Sequence, residues 1–156
     1  MGNPAKILAG PSRWGGPPDR PGDAAADDTR LAQAAHNELM TMGMPRVNVL
    51  LAGRDGAIRQ TLESLLGRLR EPIASWCPGE RLALPSTDAD GTMILHDVGR
   101  LGLEDQIHLL EWLGTAAGRV QVVSTTAAPL FPRVSAGAFI DTLYYRLNTV
   151  YLDLTA

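Results

Sequence analysis

Hydrophobic positions along this chain change their spacing several times, and each change marks an element. Residues 1–27 are rich in Gly, Pro, Ala and Asp, with Gly15-Gly16 beside Pro17-Pro18. Such a stretch buries too little apolar surface to offset its ordering entropy, so a disordered tail is expected, with Trp14 an incidental exception. From Asp28 the spacing turns helical. Asp27 or Asp28 can cap, Leu31, Ala35, Leu39 and Met42 share one face, and Gly43 and Pro45 close a helix over 28–45.

Strands and helices then alternate. Val47 to Ala52 reads as a continuous apolar run and a buried strand, followed by a turn at Gly53-Arg54-Asp55-Gly56. Ile58, Leu62, Leu65, Leu66 and Leu69 stripe a helix. Pro72 to Trp76 reads as a short strand at a sheet edge, because proline cannot donate to a ladder. Met93 to Leu95 forms a third strand, and Leu103, Ile107, Leu110 and Leu113 stripe the next helix. Val120 to Thr125 is a fourth strand, Phe139, Leu143 and Leu147 mark a further helix, and Thr149 to Leu154 a last strand. This alternation implies an α/β three-layer sandwich with a mainly parallel sheet, one domain over 46–156.

Composition narrows the classes. A hydrophobic share of 45% and a charged share of 20% are those of a globular protein, and a net charge of −3 gives no reason to expect nucleic-acid binding. No apolar run approaches the ~20 residues that span a membrane. Lys6 stands where a myristoylation signal wants Ser or Thr, and the first apolar stretch is short for a secretory signal. A cytoplasmic protein is the default expectation. The single cysteine, Cys77, forms no internal disulfide and is expected as a small, partly buried apolar residue.

Candidate chemistry concentrates in Asp90-Gly-Thr-Met-Ile-Leu-His-Asp-Val-Gly-Arg-Leu101. A buried strand here would deliver His96 and Asp97 to its carboxyl end, where open α/β sheets place ligands. His36, His96 and His108 lack metal-ligand spacing. Ser124, Thr125 and Thr126 have no evident base partner.

This segment resembles the Walker B strand of the AAA+ domain of bacterial sigma-54 activators, the enhancer-binding proteins, written G-G-T-L-F-L-D-E-I-G-E-L. Leu103 to Leu110 resembles the helix that follows it. Val120-Gln-Val-Val-Ser-Thr-Thr126 resembles the sensor strand, and Gly137-Ala-Phe-Ile-Asp-Thr-Leu-Tyr-Tyr-Arg-Leu-Asn148 resembles G-x-F-R-x-D-L-Y-Y-R-L-N. The resemblance implies a P-loop NTPase/AAA+-like core, and it stops where the family's helical lid would begin.

The departures fall on catalytic positions. Where the family has G-E-S-G-T-G-K-E, this chain has Gly53-Arg-Asp-Gly-Ala-Ile-Arg-Gln60. Gly53 and Gly56 persist, Ile58 replaces the third glycine, and Arg59 replaces the lysine. A phosphate loop needs glycine where backbone passes close to the anion, and a planar guanidinium is not equivalent to a lysine point charge. At the metal position His96 replaces an aspartate, a poor exchange for Mg²⁺, and Asp97 replaces the water-polarising glutamate. The sensor asparagine position is Ala127. Of two arginines that the resemblance sends across a subunit boundary, the first is Ile140 and Arg146 remains. The segment 77–90 leaves no room for the family's G-A-F-T-G-A loop, so direct sigma-54 contact is not expected.

What the resemblance implies, with these departures, is a catalytically inactive regulatory or protein-interaction module in transcription control. Its partner would be an AAA+ activator subunit or another transcription regulator, met through the surfaces around Arg146 and the 28–43 helix. It would involve no nucleic acid, no membrane and no cofactor. A residual ATP·Mg sensor resting on Gly53, Gly56, Arg59 and Asp97 is one alternative, and a decayed activator fragment another.

Overall fold

The computed structural model describes residues 21–43, 46–116 and 119–155. Five strands form one parallel sheet in the order β2-β3-β4-β1-β5: β1 (Val49–Gly53), β2 (Ile73–Trp76), β3 (Gly91–Leu95), β4 (Val120–Thr126) and β5 (Val150–Leu154). Every residue of β1 and β3 is buried, as a parallel sheet covered on both faces requires. On one face, α1 (Pro21–Thr41) and α2 (Asp55–Leu65) enclose Leu39, Val49, Leu51, Leu65, Val123 and Leu152. On the other, α3 (Leu103–Thr115) and α5 (Asp141–Leu147) enclose Leu50, Met93, Leu109, Val122, Phe139 and Leu143. The three-layer α/β expectation holds, with β2 at a sheet edge. No described helix is long and apolar enough to cross a membrane.

Several local expectations are corrected. The first helix starts at Pro21, seven residues before the expected 28, so 21–27 are not tail. Proline is pre-set for a first helical turn, Ala24 to Ala26 have the highest helix propensity, and Asp23 favours the dipole's positive end. Asp27 and Asp28 are therefore interior rather than capping. The rest of the expected tail, with Trp14, lies outside the described residues, as does Pro45. Met42 and Leu66 are exposed, because their helical segments have ended or tightened by then. A short helix α4 (Phe131–Ser135) was not anticipated.

The face of α3 also differs from the expected stripe. Leu103 and Ile107 are exposed, and the buried side is Gln106, Leu109, Trp112 and Leu113. A glutamine turns inward because its amide is fully used. Its nitrogen donates to the Leu101 and Ala138 carbonyls at 3.0 and 3.1 Å, and its oxygen accepts from the Ile140 amide at 2.9 Å. A buried polar group so satisfied carries little desolvation cost. The 77–90 connection is pinned down by two indoles. Trp76 Nε1 donates to the Glu80 carbonyl at 2.9 Å and Trp112 Nε1 to that of Pro85 at 2.7 Å. Cys77, expected to be partly buried, is exposed at the start of this connection.

Candidate functional site

The strand register brings the carboxyl ends of β1, β3 and β4 together. Ala52 is level with Thr126, and Leu95 with Ser124, so Gly53, His96 and Thr126 emerge side by side. Strand order reverses around β1, which places a crevice at this end of the sheet.

The segment after β1 is not the expected four-residue turn. Gly53 has φ +143°, and a Cβ there would collide with the backbone of Leu154 and Thr155. Arg54 N–H donates to the Leu154 carbonyl at 3.2 Å, fastening this corner to the end of β5. The chain then winds directly into α2 at Asp55, and Ile58 N–H donates to the Arg54 carbonyl at 2.9 Å. Gly56, Ala57 and Ile58 therefore lie inside a helix. Ile58 is 7% exposed and packs among Leu31, Leu62 and Leu154, so it fills core rather than crowding a ligand pocket. Arg59 is exposed.

An acid faces that first turn. Asp28, from the second turn of α1, accepts from Arg54 Nε at 2.6 Å, with the carboxylate side chain only 16% exposed. Its other oxygen lies against Gly56, where a Cβ would collide with it. The positive end of a helix dipole favours such a carboxylate. The sequence offered Asp28 as a cap and Arg54 as part of a turn, not as partners. The pairing joins residues 26 positions apart, and only tertiary packing of α1 on α2 creates it.

His96 and Asp97 follow β3 as expected, and both are half-buried. His96 N–H donates to the Trp76 carbonyl at 2.9 Å. Asp97 is the one described non-glycine residue with positive φ, at 51°. Thr125 Oγ1 secures that conformation by accepting from its amide at 2.9 Å. The Asp97 carboxylate is 4.0 Å from Arg100. At the far edge of the sheet, level with Ala52 on β1, Asp153 is held below the usual carboxylate range by hydrogen bonds from the Thr155 hydroxyl and amide. Among the described residues, no group of three His, Cys, Asp or Glu side chains could hold a metal ion.

Arg146 is not brought to this crevice. Asn48, which precedes β1, donates from Nδ2 to the Arg146 carbonyl at 2.8 Å and accepts from the Val122 amide at 3.0 Å. Arg146 thus sits at the amino end of the sheet, about 16 Å along β1 from Gly53. Asn48 was read as part of an apolar run; its polarity within Val47 to Ala52 was the signal for this bridge. Ile140 is half-buried, its amide held by Gln106. Ala127 is exposed beyond β4.

The described site can be set beside known proteins. The model of the family described as "Sigma-54 interaction domain" matches residues 28–156. The structure of NtrX from Brucella abortus in complex with ADP is similar at TM-score 0.60 and 17% identity, over 81% of this chain and 36% of that one. The P-loop NTPase domain of the sigma-54 transport activator from E. coli is similar at TM-score 0.50 and 19% identity, over 70% of this chain and 97% of that one. The Drosophila ORC structure bound to AT-rich DNA and Cdc6 reaches TM-score 0.57 at 9% identity, over 85% of this chain and 57% of that one. This chain therefore spans about a third of the NtrX structure. Identities this low show shared fold alone. No curated protein matches significantly.

Proposed function

The chain belongs to the sigma-54 interaction domain family, and from that premise we propose that it is a catalytically silent AAA+-type domain working as a protein-interaction module in transcription control. The observation that carries this reading is the first turn of α2. A phosphate cradle needs backbone amides splayed around the anion in a loop. Here those residues are wound into helix, and the Asp28 carboxylate lies against Gly56. The carboxylate occupies the space at the helix start that an anion would take, and it already engages the Arg54 guanidinium at 2.6 Å.

The metal position supports the same reading. His96 offers an imidazole and Asp97 a single carboxylate beside Arg100, a donor set that does not suit Mg²⁺. ATP·Mg does not fit the residues present. The 77–90 connection, held by Trp76 and Trp112, offers no G-A-F-T-G-A loop, so the proposed partner is another AAA+ subunit or transcription regulator rather than sigma-54 itself.

Calorimetric titration with ATP and a non-hydrolysable analogue, with and without Mg²⁺, tests the proposal. The expected result is no saturable heat up to millimolar nucleotide from protein that melts cooperatively. Saturable binding near micromolar would overturn it in favour of an ATP sensor.

A further inference from the structure

The amino end of the sheet carries a second surface, unrelated to the nucleotide crevice. A cleft of about 500 Å³ opens there, with Arg46, Val47, Asn48, Leu113, Tyr145 and Arg146 among its walls and no Asp or Glu among the described residues that line it. Both arginines are exposed, and neither guanidinium makes a hydrogen bond or ion pair among the described residues. Asn48 makes this a held arrangement. Its one side chain ties the start of β1 both to β4 and to the last turn of α5, so Arg46 and Arg146 rise from a common floor. Arg46 also lines a small notch with Arg70 and Arg119 around Gly91 and Gln121. Arg70 there pairs with Asp90 at 3.7 Å, and Arg119 donates to the Asp88 carbonyl at 3.3 Å. Cationic groups, partly neutralised, therefore continue past the starts of β1, β4 and β3, a lane about 10 Å long at the usual strand spacing.

We propose that this cleft docks an acidic peptide segment of a partner protein, with an aliphatic or aromatic side chain set beside its carboxylates. Guanidinium groups recognise carboxylates in forked, bidentate geometry. Val47 and Tyr145, 38% and 62% exposed, with buried Leu113 behind them, supply the apolar wall for the anchor residue. Tyr145 is braced edge-on by Tyr144 at 5.2 Å, so little side-chain freedom is lost on contact. The size selects a peptide over a free anion, because a phosphate group would leave the apolar wall bare. A lane of ~10 Å accepts three or four extended residues. In a chain of net charge −3, this local excess of cations favours an acidic partner. The inference extends the interaction-module reading by giving the partner's chemistry. It stands apart from the ATP titration, which reads the opposite end of the sheet.

Fluorescence anisotropy with a short fluorescein-labelled peptide alternating Glu with Leu and Phe tests it on the full chain. Saturable binding in the tens of micromolar is expected, weakening with added salt. The same peptide with Lys for Glu should not bind. Arg46→Glu combined with Arg146→Glu should weaken binding at least tenfold, and Tyr145→Ala several-fold. Arg59→Glu, at the other end of the sheet, should leave it unchanged, and thermal melts should show each variant folded. Four results would overturn the proposal: equal binding of the Lys peptide, indifference to the double arginine reversal, displacement by low-millimolar inorganic phosphate alone, or a self-associated chain that the arginine reversal dissociates. The last would make the occupant a second copy.

Discussion

The two ends of the sheet have opposite electrostatic arrangements. At the carboxyl end several charges are spent within the chain: Arg54 on Asp28, Arg100 near Asp97, and Asp153 on Thr155. At the amino end Arg70 pairs with Asp90, but Arg46 and Arg146 stand over an open cleft with no acid among its described lining residues. Ligands of open α/β sheets normally enter at the carboxyl end. In this chain charged side chains at that end pair with one another, and the unpaired Arg46 and Arg146 stand at the other. The contrast teaches that the end of a sheet where ligands usually enter need not be the end where a chain keeps its unpaired charge.

The contrast is open to attack at both ends. Asn48→Leu should have the largest effect, about 2–4 kcal/mol of lost stability in urea unfolding. The Val122 amide and Arg146 carbonyl would each be left unmatched at about 1–3 kcal/mol. It should also weaken the acidic peptide, since the two arginines lose their common floor. A cost near zero would mean the bridge positions nothing. Next is a cycle at the closed end. Gly56→Ala alone should destabilise by about 1–2 kcal/mol, because the Asp28 carboxylate must be pushed off the helix. In an Asp28→Ala background the same change should stabilise by up to ~1 kcal/mol, as Gly→Ala does in an unobstructed helix. If the sign does not reverse, the carboxylate does not occupy that position. The smallest effect is at Asp97, whose φ of 51° suits glycine better. Asp97→Gly should change stability by less than ~1 kcal/mol, and upward if relief of strain outweighs the weak Arg100 contact. A loss above that would show that the carboxylate has a structural partner of weight.

Much of the frame was readable before any coordinates. The Met93 to Asp97 strand-to-tip reading survived because a fully buried parallel strand has a simple signature, an unbroken apolar run ending in polar residues. The helix marked by Phe139, Leu143 and Leu147 was legible from its spacing, though Phe139 precedes it, and the edge position of β2 from Pro72. What failed was decided by contacts distant in sequence. Leu103 and Ile107 looked like core because hydrophobicity alone cannot see that Gln106 has three backbone partners waiting. The 53–56 segment was read as a turn, yet the helix already begins at Asp55. Without the third glycine, nothing keeps Ala57 and Ile58 out of a helix. Asp28 looked like a cap, since a cap is the local use of aspartate and the clasp with Arg54 is not local.

One feature of the topology bears on how the molecule is made. β1 lies between β4 and β5, strands that the ribosome delivers roughly seventy and a hundred residues later. At about 5–20 residues per second, the sticky segment Val49 to Ala52 waits some 5–20 s for both its neighbours. For that interval a nascent chain carries an unpaired apolar strand with α1 and α2 as its only cover. Their early packing is therefore a chaperoning act, and the Asp28–Arg54 clasp that joins them is available well before the sheet can close.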